Sequence, residues 1–270
     1  MGINLGRGRL HLGFMGNHGQ MHAQPGAQAC PDMDVPARRS AGGYPRTTSF
    51  RTPRSALSAA QQRTWERLWP KLGMVARNAD GPAAPLDPRM WFGREAPLIL
   101  EIGCGTGTST VAMAQSEPGV DVIAVEVYRR GLAQLLSAIE RDDVDNIRLI
   151  RGDAVDVLEH LITPGSLTGL RVFFPDPWPK ARHHKRRLLQ PGTVALIADR
   201  LRPGGVLHAA TDHPGYAEQI AEVGDAEPAL CRVQPATRSL PISVVRPTTK
   251  YETKARHVGS TVTELLWERR

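Results

Sequence analysis

From Leu98 onward the chain repeats one pattern: a short apolar run, a turn, then a stretch of helical length. The runs are LILEI (98–102), DVIAVEV (121–127), IRLI (147–150), LRVFF (170–174) and GVLHAAT (205–211). Helices are expected near 107–115, 129–141, 154–162, 190–201 and 214–223. The runs show few apolar–polar alternations, which is how parallel strands covered on both faces read. Successive β-α units of this kind imply a doubly wound α/β sheet with right-handed crossovers. The C-terminal STVTELLWER (260–269) alternates in part, as an added edge or antiparallel strand would.

The first run leads into Gly103-Cys104-Gly105-Thr106-Gly107. Glycines let backbone approach a ligand where a β-carbon would collide, and the turn after the first strand of such a sheet is a nucleotide site. Glu126 closes the next strand, about 20 residues on, the spacing at which an acid accepts hydrogen bonds from ribose hydroxyls. Asp153 closes the third, where a carboxylate could reach an adenine edge. The third glycine comes one position too early for a dinucleotide fingerprint, which brings pyrophosphate to a helix N-terminus. Glu101 beside the turn would repel pyrophosphate and attract a cation. That charge logic favours S-adenosylmethionine, with its sulfonium and ammonium, over NAD.

The fourth run enters FFPDPWPKARHHKRR (173–187), where Asp176 stands between two prolines ahead of a dense basic stretch. The whole chain carries a formal net charge of +7 with a pI near 9.8, a balance that favours polyanionic partners. Lys180, Arg182, Lys185, Arg186 and Arg187 suit phosphates, contacted without reading sequence. His183 and His184 have no acidic or cysteine partner at ligand spacing and read as RNA-facing or packing groups. Asp212, after the fifth run, could anchor a ribose or cap the next helix.

Residues 1–50 hold scattered Arg, His, Gly and Pro without a hydrophobic period and read as a disordered basic tail. Residues 51–97 read as an N-terminal helix and linker. Ser58 and Gln61 have capping-box spacing, and Leu57, Trp65, Leu68, Trp69 and Leu72 share one helical face. Residues 98–270 form the main domain. Cys30, Cys104 and Cys231 are far apart with no C-x-x-C, so no metal site is expected. No apolar run approaches the ~18 residues of a membrane span, and the N-terminus lacks the apolar stretch of a signal peptide, so no membrane partner and a cytoplasmic location are expected. Monomer and homodimer are both compatible with the sequence.

LEIGCGTG, AVEV, GDAVDVL, FFPDPWPKARHHKRR, ATDHPGYAE and RPTTKYE, in this order, resemble the bacterial tRNA (guanine-N7-)-methyltransferase family from about Ser49 to Arg270. The resemblance implies the seven-stranded Rossmann-like fold of class I S-adenosylmethionine-dependent methyltransferases. It implies methyl transfer to N7 of a tRNA guanosine, at variable-loop position 46. Glu101, Gly103, Gly105, Gly107, Glu126 and Asp153 stand where that family binds S-adenosylmethionine. Asp176 matches the proposed catalytic carboxylate, also near the methyl donor. Lys180, Asp212, Thr249, Lys250, Tyr251 and Glu252 match substrate-nucleoside positions, and Arg182 to Arg187 the RNA-contacting segment. Cys104 departs from a common bulky aromatic and His213 from a common Trp, and neither change removes a charged group the chemistry needs.

The implied chemistry asks little of a base, because guanine N7 attacks through a lone pair and has no proton to lose. Positive charge develops on the purine, and Asp176 would stabilise it, orient the guanine edge, or both. Trp178 could stack on the base or serve packing alone. Glu252 suits guanine N1–H and N2–H₂, which need an acceptor pair, and a surface ion pair with Lys250 or Lys254 is its alternative. An NAD-dependent oxidoreductase and a non-catalytic RNA-binding protein are the competing functions. The glycine spacing and Glu101 speak against the first, and the full acidic set against the second.

Overall fold

The computed structural model describes residues 56–234, 239–247 and 261–270. The tail expectation for residues 1–50 and the substrate expectation for Thr249, Lys250, Tyr251 and Glu252 lie outside those residues.

Helix α1 (Ala59–Leu72) starts at the expected capping box: Ser58 Oγ accepts from Gln61 N while the Gln61 side chain accepts from Ser58 N. Short strands β1 (Gly73–Val75), β2 (Arg77–Asn78) and β3 (Gly81–Pro82) and the one-turn helix α2 (Pro88–Phe92) follow. The βα succession then runs β4 (Leu98–Ile102), α3 (Thr108–Ser116), β5 (Asp121–Glu126), α4 (Arg129–Arg141) and β6 (Ile147–Arg151). It continues with α5 (Ala154–Asp156), β7 (Leu167–Phe173), α6 (Pro191–Arg200), β8 (Leu201–Thr211) and α7 (Pro214–Ala226). Strands β9 (Leu230–Arg232) and β10 (Thr263–Arg269) complete the sheet. The helix expected over 154–162 winds wider after Asp156, as a π turn at Val157–Leu161. Part of the basic run, Ala181–Arg186, forms a 3₁₀ turn.

The sheet order is β1-β6-β5-β4-β7-β8-β10-β9, parallel except at β10, which runs antiparallel to both β8 and β9. Seven strands make the expected α/β arrangement, and β1 adds an eighth by pairing parallel with β6. Strand β8 begins at Leu201, four residues before the apolar run at 205, and the shift in its register with β7 absorbs the extra length.

Both faces are covered, which explains the weak alternation. On β4, Leu98, Leu100 and Ile102 join one apolar cluster with residues of α6 and α7, while Ile99 joins the other with residues of α3 and α4. Trp65, Leu68, Trp69 and Leu72 of α1 pack on that second cluster, with the Trp65 and Trp69 rings stacked 4.2 Å apart and Arg129 of α4 4.7 Å over Trp65. Strand order reverses between β4 and β7, which pair directly. A crevice opens outside the carboxyl ends of strands at such a reversal, and the site lies there.

Candidate active site

A cavity of ≈ 520 Å³ lies at the carboxyl ends of four parallel strands. Its lining takes Ile102 and Gly103 after β4, Glu126 and Tyr128 after β5, Gly152 and Asp153 after β6, and Phe173, Phe174, Asp176 and Trp178 after β7. Lys185 to Arg187 and Gly192 to Thr193 close the rest. The strands deliver these groups together because each ends at the same sheet edge.

Gly103, Gly105 and Gly107 have φ of +75°, +56° and +78°, all left-handed. A side chain at any of them would be strained. A β-carbon at Gly103 or Gly105 would have no protein atom within 4 Å, so the loop borders open room rather than packed core. Glu126 holds the loop from below: Oε2 accepts from Gly105 N at 3.0 Å, and Oε1 from Val127 N at 2.7 Å and Tyr128 N at 3.0 Å. Its carboxylate therefore shapes the loop as well as lining the cavity. Asp153 caps α5 by accepting from Val155 N at 2.7 Å.

Glu101 points to the α3 side, 3% exposed, and does not line the cavity. Thr110 Oγ1 donates to its Oε1 at 3.0 Å, whereas its buried Oε2 has no partner among the described residues. Burial pushes the Glu101 pKa above 4.5, opposed by the positive charge of Arg171 and by the Thr110 bond. The open glycine cradle and the three acids that line the cavity suit a cationic nucleoside ligand. S-adenosylmethionine fits that chemistry, and a pyrophosphate does not. Neighbouring Cys104 is buried, and burial first, then Glu101 and Glu126, keep its thiol protonated by raising its pKa well above 9.0.

The Pro-Asp-Pro-Trp loop is held in an unusual backbone shape. Phe174 and Trp178 have φ of +51° and +43° on either side of Pro175, Asp176 and Pro177. Large side chains rarely adopt this region, and each such residue costs on the order of 1–3 kcal/mol, which its surroundings must offset. The loop thereby turns Asp176 out to the cavity, where it is exposed to solvent. Burial first, then the charges of Asp176 and Glu126, raise the pKa of Tyr128, a lining residue that no sequence pattern marked.

The basic run splits by environment. Lys180, Arg182 and Lys185 are exposed, and His183, His184 and Arg186 are half-buried. Arg186 lies 5.0 Å over the Trp178 ring, and His183 meets that ring edge-on at 5.8 Å. Desolvation, then the charges of Arg186, Arg182, Lys180 and Lys185, lower the His183 pKa below 6.5, so its ring favours the neutral form.

Arg187 departs from the expectation of an RNA contact. It is 3% exposed, and its Nε donates to Pro177 O at 2.8 Å. Its Nη1 donates to Gly215 O at 3.2 Å and Gln219 Oε1 at 2.6 Å, with the guanidinium 4.8 Å over Tyr216. It clamps the Pro-Asp-Pro-Trp loop onto α7, and a phosphate could not reach it without breaking those bonds. Tyr216 Oη accepts from Leu189 N at 3.1 Å at the same junction, and burial pushes the Tyr216 pKa up to about 12.

Lys180 and Asp212 are exposed and outside the cavity lining. Asp212 does not cap α7: His213 is the N-cap, its Nδ1 accepting from Tyr216 N at 3.2 Å. That leaves the Asp212 carboxylate as a surface group at the end of β8. Gly131 of α4 also escaped sequence reading. A β-carbon there would lie 2.3 Å from Gly105 O, so α4 can approach the loop only with glycine. Asp156, Glu159 and His160 group on one turn with metal-ligand types, but Arg77 already bridges Asp156 at 2.9 Å and none of the three lines the cavity. Among the described residues no helix is long and apolar enough to cross a membrane.

Residues 95–265, more than half of the chain, match the family described as "Putative methyltransferase". A protein of Mycolicibacterium paratuberculosis named tRNA (guanine-N(7)-)-methyltransferase is 66% identical over 261 residues, spanning 95% of this chain and 100% of the relative. The protein of that name from Mycobacterium ulcerans is 63% identical over 94% of this chain and 99% of its own length. Among solved structures, an rRNA methylase from Streptococcus thermophilus is 15% identical with a TM-score of 0.44, covering 64% of this chain and 87% of that one.

Proposed function

The chain belongs to the tRNA (guanine-N(7)-)-methyltransferase family, whose reaction moves the methyl group of S-adenosylmethionine to N7 of a tRNA guanosine, and we propose that it performs this transfer in the strand-end cavity, on the variable-loop guanosine at position 46 in the usual tRNA numbering. The observation that carries the reading is that Asp176 shares one cavity with Gly103, Glu126 and Asp153. The proposed catalytic carboxylate thus stands beside the residues proposed to hold the methyl donor.

When bound, S-adenosylmethionine supplies an electrophilic methyl group and takes the C–S bonding pair onto sulfur. The chain's own residues then have three tasks. Glu126 and Asp153 offer carboxylate oxygens to the hydroxyls and base edge of the donor, and Glu101, outside the cavity lining, acts through its charge rather than by direct contact. Asp176 faces the positive charge that grows on the purine as N7 attacks, and a fixed carboxylate there lowers the barrier because it needs no reorganisation. The two flanking prolines hold it still by fixing φ, and Phe174 and Trp178 wall the cavity against water. No residue has to accept a proton before attack, so orientation supplies much of the rate.

Lys180, Arg182, His183, His184, Lys185 and Arg186 form the RNA-facing side and position phosphates. Lys180 and Asp212, with Thr249, Lys250, Tyr251 and Glu252, are the proposed contacts to the target nucleoside.

The test is methylation of unmodified tRNA with labelled S-adenosylmethionine, followed by borohydride–aniline cleavage to map the methyl. Cleavage at the variable-loop guanosine is expected. Absence of cleavage at any guanosine overturns the reading, and cleavage elsewhere overturns the position. Asp176→Ala should lower turnover by about 10²–10³-fold while cofactor affinity falls less. Near-normal turnover would remove Asp176 from the mechanism.

A further inference from the structure

Against the Phe173–Asp176 corner, outside the cavity lining, lies a buried polar assembly that the reaction as described does not use. The Arg246 side chain is 2% exposed. Its guanidinium lies 4.9 Å over the ring of Phe174 and 5.6 Å over that of Phe173. Its Nη2 donates to Glu264 Oε1 on β10 at 3.0 Å. The other oxygen of Glu264 lies 2.9 Å from His208 Nε2 on β8, and the fully buried His208 ring meets Phe173 edge-on at 4.8 Å. Arg246 and His208 thus meet the two aromatic rings, and Glu264 joins them.

The segment that brings Arg246 there is itself tied down. Ser243 N donates to Glu117 Oε1 at 2.6 Å, and Ser243 O accepts from Arg171 Nη2 at 3.0 Å. Arg171 in turn bridges Glu117 Oε2 at 2.5 Å from a fully buried position on β7.

A buried arginine is a costly way to cover two rings, since apolar side chains of the same volume would do so without desolvating a charge. What it adds is geometry. Its plane stacks on an aromatic face while its edge N–H groups hold a carboxylate, so ring and carboxylate are fixed relative to each other. The rings it fixes belong to the residues that lead into Asp176. One of them, Phe174, has the left-handed backbone that its surroundings must impose.

We propose that Arg246 is a positioning residue for methyl transfer: with its guanidinium over Phe173 and Phe174 and anchored by Glu264, which His208 holds in turn, it holds the strained corner that aims Asp176 at the reacting base. This rests on the reading that Asp176 acts on the guanine. Arg246 is not among the residues that line the cavity. It sets where the carboxylate stands, and a misplacement of about 1 Å at a reacting group lowers rates by roughly 100-fold.

The experiment compares Arg246→Lys, Asp176→Ala and the double variant in single-turnover methylation of saturating unmodified tRNA, with S-adenosylmethionine affinity and thermal melting measured alongside. Lysine keeps the charge and its pairing with Glu264 but has no plane to stack, so the fold is retained. Arg246→Lys should slow the methylation step about 10- to 100-fold while cofactor affinity changes less than about threefold. In the Asp176→Ala background the same substitution should have little further effect, because two residues acting through one contact are not additive. Normal turnover in Arg246→Lys overturns the proposal if Asp176→Ala is inactive. So does a loss that appears only as weaker cofactor binding or lower melting temperature, and so do losses that multiply in the double variant. Normal turnover in Asp176→Ala alone refutes the underlying reading instead.

Discussion

Replacing Arg187 by alanine tests how one basic run is divided between fold and substrate. The substitution removes three hydrogen bonds, to Pro177 O, Gly215 O and Gln219 Oε1, together with the stack on Tyr216. Hydrogen bonds from a charged group contribute about 1.5–3 kcal/mol each, which sets an upper bound well above the net effect. Water entering the vacated space re-satisfies part of the loss, and breaking a buried charged contact typically costs about 3–5 kcal/mol. For a domain of this size each kcal/mol moves the melting temperature by about 2–4 °C, so Arg187→Ala should melt roughly 6–20 °C below the parent. Arg186→Ala loses one half-buried stack on Trp178, worth about 0.5–1 kcal/mol, and should melt within a few degrees of the parent.

Binding of tRNA reads the other half of the argument. Each phosphate contact adds about 0.7–0.9 to the slope of log affinity against log salt. Anisotropy titrations across a salt series should show that slope reduced in Lys185→Ala and Arg186→Ala and unchanged in Arg187→Ala. If Arg187→Ala melts with the parent and lowers the salt slope, the clamp is refuted and Arg187 is an RNA contact after all.

The Gly131→Ala variant forces a β-carbon to 2.3 Å from Gly105 O. Overpacking of this kind costs about 1–3 kcal/mol, so calorimetry should find S-adenosylmethionine binding weakened by roughly tenfold or more, with circular dichroism unchanged. Acid should destabilise the fold in two windows of the same sign. Burial, opposed by the Glu264 bond, depresses the His208 pKa below 6.5, and the His208 hydrogen bond depresses that of Glu264 below 4.5. Depressed folded-state values mean that the stability is present above the ordinary pKa and lost as pH falls through the folded one. Melting temperature should therefore drop as pH falls below 6.5 and again below 4.5, and His208→Gln should abolish the upper window, since glutamine does not titrate. An unaltered upper window in that variant would contradict the assignment.

Much of the fold is legible in the sequence because the information is local. A short apolar run covered on both faces, a glycine turn and an N-capping serine each act over a few residues, and Leu98–Ile102, Gly103–Gly107 and Ser58–Gln61 form as their patterns require. Strand β1 was not legible. Gly73–Val75 is too short to show a period, and it becomes a strand only because the edge of β6 offers it hydrogen bonds. The cap of α7 shows the same limit at closer range: Asp212 and His213 both can accept at an N-terminus, and the turn after β8 selects His213.

The candidate site divides the same way. Residue type and order alone determined that acids end successive strands, that Asp176 is fenced by prolines and that positive charge follows it, because these are facts of spacing along one chain. The tertiary structure decided which arginines remain available to a polyanion, why residue 131 must be glycine, and what braces Phe174. Arg187 meets Gly215 and Gln219, Gly131 meets Gly105, and Arg246 meets Phe174 through segments far apart in the chain. Such contacts leave no periodic trace, since whether a charge is desolvated or solvated depends on what the folded backbone places against it.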